Sequence, residues 1–281
     1  MDLQDLYNIF QSFGDTKRLP VIFTSYGNPM DIVLSREERP FWKILFELGK
    51  QLRKNYEIQA VLIVSAHWCT KGTFVNVLEH QKQIYDYYGF PEEYYNVPYT
   101  TKGHPDMAIK VQQLAPDKII PTDEWGLDHG AWPVLMHLFP DGDISAFELS
   151  IHYYAKPEYH LNLAKQLKCL REKGVLIIGS GALIHNLRLI MQKMQNNDNR
   201  PYDWESEYDA WIKKQILQRN IDALLNYESS QPLGKLAAPT PDHFVPIFYT
   251  FGTMDNKDEI HFFYENPSTL PAFSERSFIA I

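Results

Sequence analysis

The chain is short of cysteine, of long apolar runs and of basic charge, and each shortage removes a class of protein. Cys69 and Cys169 are the only cysteines in 281 residues. Two are too few for a disulfide framework, and without a C-x-x-C spacing they do not form a zinc-finger pattern, so Cys69 is expected to be buried. No apolar run approaches the roughly 20 residues that a bilayer-spanning helix needs. The longest, 60–66 and 175–178, have the length of buried strands. Lys and Arg number 27 against 35 Asp and Glu, for a formal net charge of -8, so the summed field repels nucleic acid and anionic membrane surfaces. The acidic opening at 1–10 lacks the basic-then-apolar order of a secretory signal, and the expected location is cytoplasmic.

What remains is an ordinary globular composition, 44% hydrophobic, 14% aromatic and 22% charged. Short apolar runs alternate with longer amphipathic stretches, which predicts a single α/β domain over 1–281. Its central sheet, mostly parallel or mixed, is expected to be flanked by helices, with a site at the strand ends. Strands are predicted at 19–25, 60–65, 75–78, 144–151 and 174–179. Helices are predicted at 37–54, where Phe41, Ile44, Leu45, Leu48 and Leu52 recur at helical spacing, and at 105–114, 157–172 and 203–225. Residues 84–99 read as a long aromatic loop. No internal repeat, low-complexity tract or linker divides the chain.

In an open α/β sheet, chemistry collects beyond the carboxyl ends of strands. Four histidines stand at such punctuation: Ser65-Ala66-His67-Trp68, Asp128-His129-Gly130, Gly179-Ser180-Gly181 running on to His185-Asn186, and Asp242-His243-Phe244. One histidine at a strand end is ordinarily a hydrogen-bonded packing residue. Four at four element ends point to a metal site with its own proton shuttle. His80, His104, His137, His152, His160 and His261 lack that setting and read as structural or surface residues. Gly179-Ser180-Gly181 lacks the Lys-Ser/Thr of a phosphate loop and the third glycine of a dinucleotide fingerprint. Ser180 is also outside the G-x-S-x-G elbow of a serine hydrolase. The aromatic loop, with Tyr88, suits a lid that stacks a planar substrate, and Trp68 and Trp132 supply flat walls beside it. Asp128 and Asp242, each just before a site histidine, are either helix caps or partners that fix a ring tautomer.

Together, Ser25-Tyr26-Gly27-Asn28-Pro29, Ser65-Ala66-His67-Trp68, Tyr87-Tyr88-Gly89-Phe90-Pro91, Leu127-Asp128-His129-Gly130, Leu183-Ile184-His185-Asn186 and Asp242-His243-Phe244 resemble the DOPA-type extradiol ring-opening dioxygenases of class III. The resemblance runs in order over nearly the whole chain. It implies one α/β domain, Fe(II) for catalysis with zinc as a frequently bound metal, and a catechol of the 3,4-dihydroxyphenyl type cleaved with O₂. It implies metal ligands at His67 and His243, a ligand or acid/base at His185, and a substrate contact at His129. Trp132 and Tyr88 would line the substrate. At Tyr26 the family ordinarily carries a ligand histidine, so the all-histidine arrangement has one member changed, and no carboxylate ligand is evident. Two alternatives follow from Tyr26: an aromatic-binding homologue without turnover, or a zinc-dependent hydrolase.

Overall fold

The computed structural model describes residues 16–265 and 269–281; the stretch 1–10, read above for a secretory signal, lies outside them. The strands are β1 Val21–Thr24, β2 Ala60–Ser65, β3 Cys69–Thr70, β4 Thr73–Asn76, β5 Ile119–Thr122, β6 Ser145–Glu148, β7 Ile151–His152, β8 Val175–Ser180, β9 Ile260–Tyr264 and β10 Ser277–Ala280. Six of them form the central sheet in the order β6-β2-β8-β1-β10-β9. β6, β2, β8 and β1 run parallel, and β10 and β9 close one side antiparallel.

Both faces of the parallel strands are buried, which explains why they read as continuous apolar runs rather than as alternations. Val21, Phe23, Leu62, Val64 and Ile177 point into one core layer, and Ile22, Val61, Ile63, Leu176 and Ile178 into the other. Helix α1, Pro40–Asn55, covers the second face with Phe41, Trp42 and Leu45. The first face is covered by α2, Pro105–Leu114. Helix α3, Trp132–Leu138, joins α1 on the second face, and α4, Pro157–Leu167, joins the first. Helices α5, Leu187–Gln195, and α6, Asp203–Leu217, follow, then α7, Ile221–Leu225, and α8, Pro246–Thr253. No described helix is long and apolar enough to cross a membrane.

Several expected elements are divided. The strand expected at 144–151 is β6 and β7, separated because Leu149 N still donates to Ile63 O of β2 whereas Ser150 N turns away to Phe74 O of β4. The helix expected at 157–172 tightens into a 3₁₀ segment, Lys168–Lys173, ended by Gly174 at φ 72°. The helix expected at 203–225 breaks between α6 and α7, where Arg219 adopts φ 50° and Asn220 caps α7 by accepting from Ala223 N. Cys69 is exposed, contrary to expectation. It sits on the two-residue strand β3, which among the described residues pairs only with β7.

One consequence of the topology sets up the site. Thr24, Ser180 and Ser65, the last residues of β1, β8 and β2, lie side by side in register. The chain segments carrying Tyr26, His67 and His185 therefore leave the sheet at one level.

Candidate metal centre

Three segments continue directly from those strand ends. After β1 the chain passes through Tyr26 to Gly27, which needs its φ of 73° to turn beneath the Trp42 ring; an added Cβ would lie 2.6 Å from that indole. After β2 comes His67, whose backbone N–H donates to Ser65 Oγ (3.1 Å). After β8 the chain runs through Gly181, whose N–H donates to Thr24 O, to His185, whose N–H donates to Ala237 O. Two further segments dock on them. Ala182 N donates to His243 O, fixing the 242–243 corner against β8. His129 enters from the turn before α3, where Asp128 Oδ1 accepts from Ser65 Oγ (2.6 Å) and Gly130 N (2.9 Å).

The structure thus gathers all four sequence-predicted histidines and Tyr26. The ring centroids of His67 and His129 are 3.7 Å apart, those of His67 and His243 5.1 Å, and His185 stacks flat on His243 at 3.5 Å. Tyr26, 3% exposed, stands edge-on to His67 at 4.9 Å and to His129 at 5.5 Å. Its hydroxyl is 2.9 Å from His243 Nε2. Trp132 is fully buried and donates its indole N–H to Ile84 O (3.1 Å). Tyr88 is 88% exposed, and it is the neighbouring Tyr87 that stands edge-on to His129 at 5.3 Å. Of the other histidines, His137 stacks on Trp42 and His160 contacts Tyr249 Oη, both as packing groups.

One member was not read from the sequence. Asp86, from the aromatic loop, places Oδ1 2.8 Å from His129 Nδ1 and Oδ2 3.4 Å from His67 Nδ1, and its Oδ1 also accepts from His129 N (2.9 Å). His67, Asp86 and His129 each offer a ligand atom, all within 4.8 Å of one another. The available signal was weak: Asp86 is the one charged residue between Gln83 and Pro91.

The electrostatics favour neutral rings and a cation. Burial, reinforced by His129, His243 and His185, pushes His67 well below its ordinary value. Burial and His243 do the same to His185. Neutral imidazoles keep a lone pair free for a metal. Burial, then Asp242, Asp86 and Asp128, pushes the Tyr26 phenol well above its ordinary value, so it remains protonated. Beneath the rings, burial and the nearby Asp86 raise Asp128 to about 6. Burial and Asp128 hold Glu148 well above the carboxylate range, and Asp128 N donates to Glu148 Oε1 (2.9 Å). Asp128 therefore braces β2 and β6 against the His129 turn rather than fixing its ring. Asp242 does reach a ring, with Oδ2 2.8 Å from His243 Nδ1.

Three buried ring nitrogens of the cluster, His67 Nε2, His129 Nδ1 and His243 Nδ1, have no aligned hydrogen-bond partner. Orphaned imidazole nitrogens beside a carboxylate are the donor chemistry of a divalent metal site, so the residues present fit such an ion.

Residues 20–274 match the family model described as the catalytic LigB subunit of aromatic ring-opening dioxygenase. The chain is 33% identical over 248 residues to a 4,5-DOPA dioxygenase extradiol of Escherichia coli K12, covering 86% of this chain and 88% of that protein. It is 33% identical over 239 residues to one of Beta vulgaris, covering 82% and 85%. Its fold superposes on the crystal structure of an uncharacterised Escherichia coli K12 protein with a TM-score of 0.77 at 29% identity, covering 93% of this chain and 99% of that one. The α/β sheet and its strand-end histidine cluster define a class of α/β fold with a possible metal site at the ends of its parallel strands. Within it, this chain belongs to the LigB family of class III extradiol dioxygenases.

Proposed function

We propose that the protein is an extradiol dioxygenase that opens a catechol ring of the 3,4-dihydroxyphenyl type with O₂, using Fe(II), with zinc able to occupy the same site. The observation that supports this most directly is the gathering of His67, His129, His185 and His243 with Asp86 at one end of the parallel strands in a chain of this family. His67 is common to both donor sets that could hold the ion: His67 with His243 and His185, as the resemblance implies, or His67 with His129 and Asp86, as the distances suggest. When bound there, a divalent iron acidifies the catechol hydroxyls and activates O₂.

The chain supplies the rest. His185, kept neutral by burial, accepts the proton released by the hydroxyl and returns it to the opened product. His129 orients the substrate oxygens if it is free of the metal. Tyr88, exposed on the aromatic loop, closes over the ring from the rim. Trp132 backs that loop, holding Ile84 through its indole N–H and packing against Tyr85. The protein is expected to act in the cytoplasm on a small molecule, as one domain, without nucleic acid or membrane.

The test is oxygen uptake with a panel of catechols by protein reconstituted anaerobically with Fe(II). Uptake with a new visible absorbance supports ring cleavage. Tight catechol binding without uptake identifies an aromatic-binding homologue. Ester or amide hydrolysis under nitrogen by the zinc form identifies a hydrolase.

A further inference from the structure

We propose that Glu148 is a positioning residue for the histidine cluster: it carries a proton and donates it through Oε2 to Asp128 Oδ2, and that bond holds the turns bearing His67 and His129 in place. The positioning role rests on the reading of this cluster as the reaction site; the bond itself does not.

Two buried carboxyls meet here. Glu148 ends β6, beside Ile63 of β2, and Asp128 stands in the turn before α3; both are fully buried. Asp128 N donates to Glu148 Oε1 (2.9 Å), and Asp128 Oδ1 accepts from Ser65 Oγ (2.6 Å) and Gly130 N (2.9 Å). The two oxygens left over, Asp128 Oδ2 and Glu148 Oε2, have no partner of their own, although the two side chains are in hydrogen-bonding contact. Two ionised carboxylates touching away from water would repel each other and leave both oxygens unsatisfied. A single proton between them removes both costs. Glu148 is its carrier. The charge on Asp128 is stabilised by two donors, a hydroxyl and an amide, whereas Glu148 accepts from one amide. Burial, with the charges of Asp128 and Asp86, also favours the neutral form of Glu148.

The bond reaches the site because Asp128 ties the strand ends together. Ser65 Oγ, which donates to Asp128, accepts from His67 N (3.1 Å) and so sets the turn after β2. Gly130, held by the same carboxylate oxygen, accepts at its carbonyl from Ser180 Oγ (2.5 Å) at the end of β8. His129 lies between these two anchored residues. Glu148 thus acts on both rings through Asp128: without its proton the two carboxyls part, and both histidine segments lose their common anchor.

The experiment compares two variants of the full chain. In Glu148→Gln the amide N–H replaces the acid O–H while the carbonyl still accepts from Asp128 N; Glu148→Leu has a similar volume and can do neither. At neutral pH, infrared spectroscopy should show a protonated-carboxyl C=O stretch in wild type that is lost in Glu148→Gln; taking the difference spectrum removes the band of Glu275. The backbone amide resonances of His67 and His129 should keep their positions in Glu148→Gln and move in Glu148→Leu. After anaerobic loading with Fe(II), kcat for oxygen uptake should fall about 10-fold in Glu148→Leu, the low end for a partner standing behind a site histidine, and recover in Glu148→Gln. Absence of the band from the difference spectrum, equal movement of the amides in both variants, no movement in Glu148→Leu, or an unchanged kcat in Glu148→Leu overturns the proposal. Should Glu148→Leu not fold, Glu148→Met takes its place, and the infrared comparison stands without either. A wild type that takes up no oxygen with any catechol counts against ring cleavage, whereas the infrared band and the amide resonances still decide the bond.

Discussion

A phenol and an imidazole offer a divalent cation different things. The imidazole brings a neutral nitrogen lone pair, whereas the phenol must first lose a proton, and buried Tyr26 holds that proton tightly. Replacing Tyr26 by His restores a donor and frees His243 Nε2. Tyr26→His is expected to raise Fe(II) affinity at least tenfold in anaerobic titration, with oxygen uptake rising in step; unchanged affinity would show that this position does not touch the metal's surroundings. At His185 the expectation is different in kind. His185→Gln should lower kcat for oxygen uptake by about 10²–10⁴-fold, the range for loss of an acid/base group, while metal content stays full. A metal content that falls with kcat would make it a ligand.

At the scale of elements, two devices hold the cluster in shape. Gly130 lets the turn before α3 lie against β2, because a Cβ there would stand 2.3 Å from Ser65 Oγ and 3.0 Å from His67 Cδ2. Gly130→Ala is expected to cost about 1–3 kcal/mol by overpacking, read in urea unfolding, and to weaken metal binding because Ser65, which holds the His67 backbone N–H, is displaced first and His67 Cδ2 lies next. The aromatic loop is tied to α3 by Trp132 Nε1 and Ile84 O. Trp132→Phe leaves that carbonyl unpaired, so a loss of about 1–3 kcal/mol and a raised KM for the catechol are expected, with kcat changed less. The strands that carry the site were legible because both their faces are covered: Ala60–Ser65 is apolar at every position before its terminal serine, and Val21–Thr24 at every position before its terminal threonine. The antiparallel pair β9 and β10 was not, since the burial of Ile260–Tyr264 is partial and β10 docks on β1 from the far end of the chain. The four histidines were legible as punctuation at element ends, His67 and His185 after apolar strands and His129 and His243 before apolar segments. Asp86 was not, because a single carboxylate among tyrosines carries no local signature; only the folding of the loop onto His129 gives it a neighbour. The break at Arg219 and Asn220 was hidden by helix-compatible residues on both sides.

At the scale of the molecule, a buried ion group joins the first turn after β1, the start of α1 and the approach to β10. Arg39 Nε donates to Asp31 Oδ2 (2.8 Å), and its other arm pairs with Glu275. For Glu275 burial outweighs the pairing with Arg39, raising its carboxyl from 4.5 to about 7. The folded chain therefore holds this proton more tightly than the unfolded chain, and the associated stability is complete below pH 4.5 and lost as the pH rises to about 7. Relative to wild type, Glu275→Gln is expected to gain thermal stability steadily between pH 4.5 and 7 and to show no further relative change above that; a difference in Tm independent of pH would refute the assignment. The register of Thr24, Ser65 and Ser180 has a kinetic counterpart. The three strand ends lie far apart along the chain, so no fragment shorter than most of the protein can assemble them, and the loops between them must close before any two rings meet. During refolding, regain of cation capture should coincide with the slowest global phase, and synthesis on the ribosome should yield nothing that assembles the full cluster until β8 and the segment carrying His243 have emerged.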